Sequence, residues 1–308
     1  MNQNHRGRDT LMKTPRIRFT VFLLLSAWLL YGCGLTSFVA HPFGGHKTAL
    51  KKRLMVTPLV DQAGLGQQVT DSLYQDLIRA LSIKARVIII ESHDATYTQQ
   101  SQAGLSYGIR PDESLLSKAR EMGINAVLTG IISPIEKEER LRGIWPFRKA
   151  VSHYSLALVF NLVDPQNGTV ILSNMESGGT SIDLGEEEFT EKSWILEELK
   201  QEVLPKLLKK SIEPLKEALE SERWEGKILA VDHQIRINAG ADVGVEPGYR
   251  FDVYGGSEVV RAKDGRQFLV SWQKVGSIRV TQVDKNTSVA EPIEGKGFEP
   301  GQKIISID

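Results

Sequence analysis

Cys33 is the only cysteine of the chain, and its setting is specific. Arg16 and Arg18 lead into an apolar run from Phe19 to Leu30, and Leu30-Tyr31-Gly32-Cys33 closes it. A charged start, a short greasy core and a small residue at the cut form the layout of a secretory signal peptide. A membrane-spanning helix needs ~20 apolar residues, and this run stops short of that. The chemistry on offer at Cys33 is therefore that of a thiol delivered to a membrane surface: acylation on sulfur.

Leu-Tyr-Gly-Cys resembles a bacterial lipobox, in which cleavage before the cysteine frees an amino group and both it and the sulfur receive lipid. Gly32 suits the residue before the cut, while Tyr31 is bulkier than usual for its place. The alternative is a plain signal peptide or membrane anchor with a chance cysteine. Gly34 follows where an aspartate would signal retention in the inner membrane, and by resemblance to enteric sorting this points to an outer-membrane lipoprotein facing the periplasm. Once Cys33 is acylated, no thiol remains for a disulfide, a thiolate metal site or a cysteine nucleophile.

Other reactive side chains are sparse in useful spacings. His41, His46, His93, His153 and His233 follow the leader, and none has the close His/Cys/Asp spacing of a zinc site. His153 and His233 read as ordinary polar positions at strand ends. No Gly-x-Ser-x-Gly elbow occurs. The segment Gly44-Gly45-His46-Lys47-Thr48 lacks the earlier glycine of a phosphate loop. Gly240, Gly244 and Gly248 are spaced like a membrane dimer motif, but Asp242, Glu246 and Pro247 exclude an apolar helix. Asp183 with Glu186, Glu187 and Glu188 suits a helix start; calcium binding there is the lesser alternative. No catalytic residues, metal or cofactor are expected. The partner-binding candidates are Trp145, Phe147 and Arg148, with Arg142 alongside, because aromatics and arginine are favoured at protein interfaces. Against this stands a hairpin tip folded back onto its own domain.

Composition sets the frame for these residues. The 308 residues allow about two domains, with ordinary apolar (41%) and charged (25%) content. Formal net charge is zero. Removing Arg6, Arg8, Lys13, Arg16, Arg18 and Asp9 with the leader leaves 33 basic and 37 acidic residues, a net charge of −4. That balance argues against nucleic acid, whose binders are usually basic.

The elements that would position these groups follow in order. Residues 1–32 are the signal peptide and 33–50 a lipidated tether. The tether spans at most ~60 Å when stretched and ~25 Å as a coil, so the folded part stays near the membrane. Residues 51–222 read as an α/β domain. Arg53–Val60 is a strand, and Val69, Leu73, Leu77 and Leu81 stripe a helix from Gln67 to Ser82. Arg86–Ile90 is a strand covered on both faces, and His93–Arg110 a polar loop. Asp112–Met122 is a helix with Leu115, Leu116, Ala119 and Met122 inward, ended by Gly123. Asn125–Ile132 is a strand, and Glu136–Lys149 a charged excursion tipped by Trp145 and Phe147.

Val151–Val163 is the clearest strand, with Tyr154, Leu156, Leu158, Phe160 and Leu162 on one face. The turn Asp164-Pro165-Gln166-Asn167-Gly168 leads to a partner strand, Thr169–Ser173. Glu186–Glu222 is helical in two or three segments, bent by Pro205 and Pro214. Its stripe of Leu196, Leu199, Val203, Leu207, Leu208, Ile212, Leu215 and Leu219 either packs on the sheet or forms an oligomer seam. Residues 223–308 carry short β-branched strands, which predicts a small all-β barrel or sandwich. Pro247-Gly248 and Pro300-Gly301 each suit a type II turn that launches a strand. The fold class is thus α+β: an α/β sandwich of helices on a mixed sheet, followed by an all-β domain.

Two groups of motifs carry a family resemblance. Asn125-Ala126-Val127-Leu128-Thr129-Gly130, Leu158–Asp164 and Asn167-Gly168-Thr169-Val170 together resemble the domain of curli-secretion lipoproteins, related to the amino-terminal domain of the Tol-Pal protein TolB. Ile235–Gly240, Gly244-Val245, Pro247-Gly248, Phe251–Tyr254 and Val275–Val280 look like the carboxy-terminal β domain of the flagellar assembly protein FlgT. The resemblance covers about two thirds of the chain after the leader and carries no catalytic residues. It implies periplasmic scaffolding in secretion or flagellar-type machinery. A pore would need strands of ~10 residues alternating apolar and polar, which Glu136–Lys149 does not offer, so a channel is not expected.

The chain therefore reads as a non-enzymatic lipoprotein held to the membrane through Cys33. Its partners would be envelope proteins or further copies of itself in a homo-oligomer. A ligand sensor with a pocket between its domains, a regulator of cell-wall enzymes and a periplasmic hydrolase are the alternatives.

Overall fold

The computed structural model of the protein describes residues 49–92, 111–187, 192–256, 258–261, 267–270 and 273–307. Cys33, His41, His46 and the predicted loop His93–Arg110 lie outside the described residues. Residues Thr48–Asp308 form one compact unit. Its fold is mixed α+β: helices on a seven-stranded mixed sheet, then a closed six-stranded antiparallel barrel.

The sheet is built from β1 (Lys52–Val56), β2 (Val60–Asp61), β3 (Val87–Glu91), β4 (Ala126–Ile132), β5 (Glu136–Arg142), β6 (Lys149–Val163) and β7 (Val170–Asp183). Strands β3, β1 and β4 run parallel, with β2 parallel to the end of β4, and β6 joins β4 antiparallel. One edge of β6 pairs with β7 along its length. Its other edge pairs with β4 from Leu158 to Val163 and with β5 from Lys149 to Ser155.

Helices α1 (Gln67–Lys84) and α5 (Leu204–Ser221) share one core with one sheet face. Leu73, Leu77 and Leu81 recur every fourth residue, so one turn-by-turn stripe meets Leu54, Val56 and Leu128. Helix α2 (Glu113–Met122) shares a smaller core with residues of the opposite face, burying Leu115, Leu116 and Ala119 against Met55, Val127 and Val163. Asp112 caps α2 by accepting the Leu115 N–H at 2.8 Å, and Gly123 ends it in the left-handed region at φ 69°. Met122, expected inward, is instead 46% exposed at the last residue of the helix.

Three strand expectations change. The strands buried throughout are β1 and β4, not β3: every residue of Lys52–Val56 and of Ala126–Ile132 is covered, whereas β3 lies at an edge and is half-buried. Strand β7 continues ten residues past Ser173 because it follows β6 to Asp183; pairing overrides the weak strand propensity of Ser177-Gly178-Gly179. The excursion Glu136–Lys149 is itself half of a β-hairpin.

After β7 come two short helices, α3 (Leu184–Glu187) and α4 (Lys192–Glu198), then a widened turn, Leu199–Val203, of π-helical form before α5. Pro205 has no N–H to give the preceding turn, so the widened turn falls where a normal helical bond is missing. The apolar stripe packs on the sheet: Leu199, Leu207, Leu208, Ile212, Leu215 and Leu219 are all buried in the core.

The barrel closes in the order β10 (Arg250–Gly255), β13 (Gln273–Val283), β14 (Ser288–Gly295), β9 (Ile235–Ile237), β8 (Glu225–Val231), β15 (Lys303–Ser306). A separate hairpin, β11 (Glu258–Arg261) with β12 (Gln267–Val270), stands off it. Ile237, Phe251, Val253, Ile278 and Ile304 fill the interior, and the Trp224 ring lies 5.6 Å from that of Phe251. The repeated Pro-Gly turns form as expected. Tyr249 N–H donates to Glu246 O and Gln302 N–H to Glu299 O, with Gly248 at φ 92° and Gly301 at φ 88°.

Candidate functional site

The partner-binding candidates sit on an arm made of β5 and the first half of β6. Its root is a break between β4 and β5. Pro134 cannot donate to a ladder, and Ser133 fills the gap: its N–H donates to Ala157 O at 2.8 Å while its Oγ accepts the Ala157 N–H at 2.7 Å. Pairing then resumes at Glu136 opposite Ser155 and runs to Arg142 opposite Lys149. Every residue of β5 is exposed.

The end of the arm is a six-residue turn, residues 143–148. Gly143 adopts φ 113°, and a Cβ there would lie 2.8 Å from Phe147 O, so glycine is required. The Trp145–Pro146 peptide is cis, and the Phe147 N–H closes the turn on Ile144 O at 2.7 Å. Ile144, Trp145 and Phe147 are 85%, 77% and 84% exposed. The alternative of a tip folded onto its own domain is thereby removed. Arg148 is exposed beside them.

Behind the tip the charges are ordered. Arg142 and Arg148 come first, with Lys149 3.3 Å from Asp183. Arg140 then pairs with Glu138 at 2.6 Å, and Lys137 Nζ lies 5.7 Å from the centre of the Tyr154 ring. One face of the arm forms the floor of an open groove of about 920 Å³, lined among others by Glu136, Glu138, Arg140, His153, Ser155 and Ser177. His153 lies within β6 rather than at its end, and its Nδ1 is 2.8 Å from Ser181 Oγ on β7. Burial and the Arg140 charge hold the imidazole below its ordinary pKa, against an opposing pull from Glu138. His233 sits exposed in the turn between β8 and β9.

A second cluster joins sheet to barrel, and sequence reasoning missed it. Lys52 Nζ donates to Leu219 O and Glu222 O at the end of α5. Arg53 donates to Asn238 O at 2.8 Å and pairs with Asp242 at 2.9 Å. Asn125 accepts the Arg53 N–H and donates to Glu225 O. Lys227 Nζ reaches the carbonyls of Arg120 and Glu121 at 3.1 Å each, where the negative end of α2 favours a cation. A cleft of about 260 Å³ remains there, lined by Arg120, Asn125, Lys227, Asn238 and Lys303 among others. Asp164 lies at the same joint. Burial pushes its carboxyl up to about 6, helped by Glu225 and Glu222, and opposed by the Gln166 N–H and Lys303. The one signal in sequence was a pair of cations, Lys52 and Arg53, opening an otherwise apolar strand.

Among the described residues, no group of three or more His, Cys, Asp or Glu side chains is placed to hold a metal ion. No helix among them is long and apolar enough to cross a membrane.

The sequence matches no protein-family model and no curated protein. Solved structures to which the chain is similar include a homologue of the neuraminyllactose-binding hemagglutinin from Helicobacter pylori, at 14% identity and TM-score 0.38, covering 58% of this chain and 92% of that one. Lipoprotein GNA1162 from Neisseria meningitidis matches at 18% identity and TM-score 0.27, over 51% of this chain and 99% of that one. The LpoB C-terminal domain from Salmonella enterica matches at 18% identity and TM-score 0.27, over 44% and 88%. Bacterial lipoproteins are thus among these neighbours, at low identity. The resemblance to curli-secretion and flagellar-assembly families rests on the sequence motifs alone.

Proposed function

We propose that this protein is a non-enzymatic, lipid-anchored envelope lipoprotein of the outer membrane, facing the periplasm as an assembly or scaffold component. Lipid on Cys33 holds it to the bilayer, and the folded unit docks with its surroundings through the β5–β6 arm. The observation that carries the docking half is the arm itself. Three large apolar side chains stand in solvent at the end of a hairpin whose exposed strand adds nothing to the core. Such exposed apolar groups mark interaction sites. The anchor half is supported by the run that ends in Gly32-Cys33.

The scaffold reading is supported further by the joint. Arg53 and Asn125 spend donors on main-chain carbonyls of the barrel side, at Asn238 and Glu225, and Lys227 on those ending α2. Polar groups engaged in this way hold two parts together. The cleft beside them favours a second reading, a ligand-sensing or enzyme-regulating lipoprotein whose ligand would displace Lys227 from α2.

A photo-crosslinking residue at position 147, activated in intact cells, tests docking. Adducts to envelope components, or to a second copy, are expected; unmodified monomer alone would overturn it. Mass spectrometry of the mature amino terminus tests the anchor, and an unmodified start or a retained leader would remove it.

A further inference from the structure

We propose that the arm's tip is a wedge for the surface of an anionic phospholipid bilayer. The inference takes the arm as the contact element of the preceding section and names what it contacts. Its basis is the order of side chains along one hairpin. Ile144, Trp145 and Phe147 occupy the end, all exposed. Arg148 follows them at the end of the turn, and Arg142 and Lys149, the latter 3.3 Å from Asp183, face each other where the strands begin. Leu141, 67% exposed, and Arg140 come next on the same strand as Arg142, followed by Glu139 and Glu138, with Arg140 paired to Glu138.

A bilayer surface presents the matching order. Below the headgroups is an apolar boundary that takes Trp and Phe, whose rings settle at the interface. Above it lies a layer of phosphates that attracts Lys and Arg. Strands rise ~3.3 Å per residue, so the cations sit one or two residues, ~3–7 Å, behind the apolar tip. Interfacial elements bury their apolar face ~5–10 Å deep, which brings those cations level with the phosphates. Glu138 and Glu139 lie ~10–13 Å farther back. An anionic surface repels them, so the arm enters end-on and stops at its cations.

A protein hot spot has a different form. Its aromatic anchors sit at the centre of a patch, ringed by neutral contacts that exclude water. Here the anchors are at the extremity of a projection rather than the centre of a patch, with cations and then the exposed Leu141 behind them. Charge and position together favour lipid.

The test uses the chain from residue 33 onward carrying Cys33→Ala, which has neither leader nor acyl chain; residues Thr48–Asp308 form a compact unit by themselves. It is floated with vesicles of phosphatidylglycerol and phosphatidylethanolamine, and with vesicles of phosphatidylcholine alone. Binding to the first, weakened by salt, is expected. Trp145→Ala and Phe147→Ala should each reduce it about tenfold. Arg142→Gln and Arg148→Gln should each reduce it about fivefold on anionic vesicles, with little change on neutral ones. Brominated lipid should quench the emission that Trp145→Phe removes. All these side chains are exposed, so circular dichroism should be unchanged.

Equal binding to both vesicle types, binding untouched by the tip variants, or no binding at all would overturn the proposal. A protein adduct from position 147 in cells, together with no vesicle binding, would assign the tip to a protein partner instead. None of these outcomes bears on Cys33, which the amino-terminal mass decides separately.

Discussion

Arg53 on β1 and Asp242, in the short turn after β9, lie 2.9 Å apart, with side chains only 10% and 21% exposed. The pair is separated by 189 residues and links a fully buried strand of the sheet to the barrel. An ion pair this far from water is weak evidence of net stabilisation, but removing one partner strands the other. Asp242→Ala should cost about 2–3 kcal/mol. Denaturant unfolding followed at Trp224, on the barrel side of the joint, is expected to shift to lower midpoint and to separate from the loss of helix. Coincident, unshifted transitions would show that the joint does not depend on this pair.

Asp164 should make the fold more stable in mild acid. Its folded pKa of about 6 exceeds the ordinary 3.8. The folded state therefore binds the proton more tightly between those values, and stability rises as pH falls from above 6 towards 4. The full effect is about 3 kcal/mol. Asp164→Asn should keep the bond from the Gln166 N–H, raise stability at neutral pH and leave it unchanged near pH 4. His153 works the other way, since a depressed imidazole loses stability as pH falls below its ordinary range. A stability–pH slope that is the same in wild type and Asp164→Asn would defeat this account.

The two Pro-Gly turns should fail in the same manner. Alanine at Gly248 or Gly301 must take a φ near +90° that side chains resist. Each substitution should lower barrel stability by about 1–2 kcal/mol, read as a drop in thermal midpoint. Both sites are open, with no atom within 4 Å of where a Cβ would stand, so an unchanged midpoint would point away from backbone strain as the reason for glycine.

Leu215 is fully buried between α5 and the sheet. Leu215→Ala should cost about 2–5 kcal/mol and leave the sedimentation coefficient of the folded protein unaltered. A change of oligomeric state without loss of stability would reinstate the seam.

Periodicity made much of this fold legible. The four-residue stripe of α1, the alternation of β6 and the Pro-Gly turns are local patterns, and each forms where its residues predict. What could not be read depends on distant pairing. The half of β7 beyond Ser173 is polar and glycine-rich, and it is a strand because β6 lies beside it. Lys52, Asn125 and Asp164 look like an ordinary strand start, strand edge and turn; only the arrival of β8 and the end of α5 turns them into one joint. Trp145, Phe147 and Arg148 were identifiable by type, whereas their exposure was decided by a turn at Gly143 that sequence alone left open. Cys33 stands outside the described residues, so its role rests on the residues that precede it.

Strand β6 runs without interruption from the arm to the buried ring of Phe160. Any pull on the tip along that axis is shared at once by the rows of backbone bonds to β4 and β7, which would have to slide together before one gave way. The arm is consequently a stiff lever: tension at its end reaches the middle of the molecule with little lost in bending.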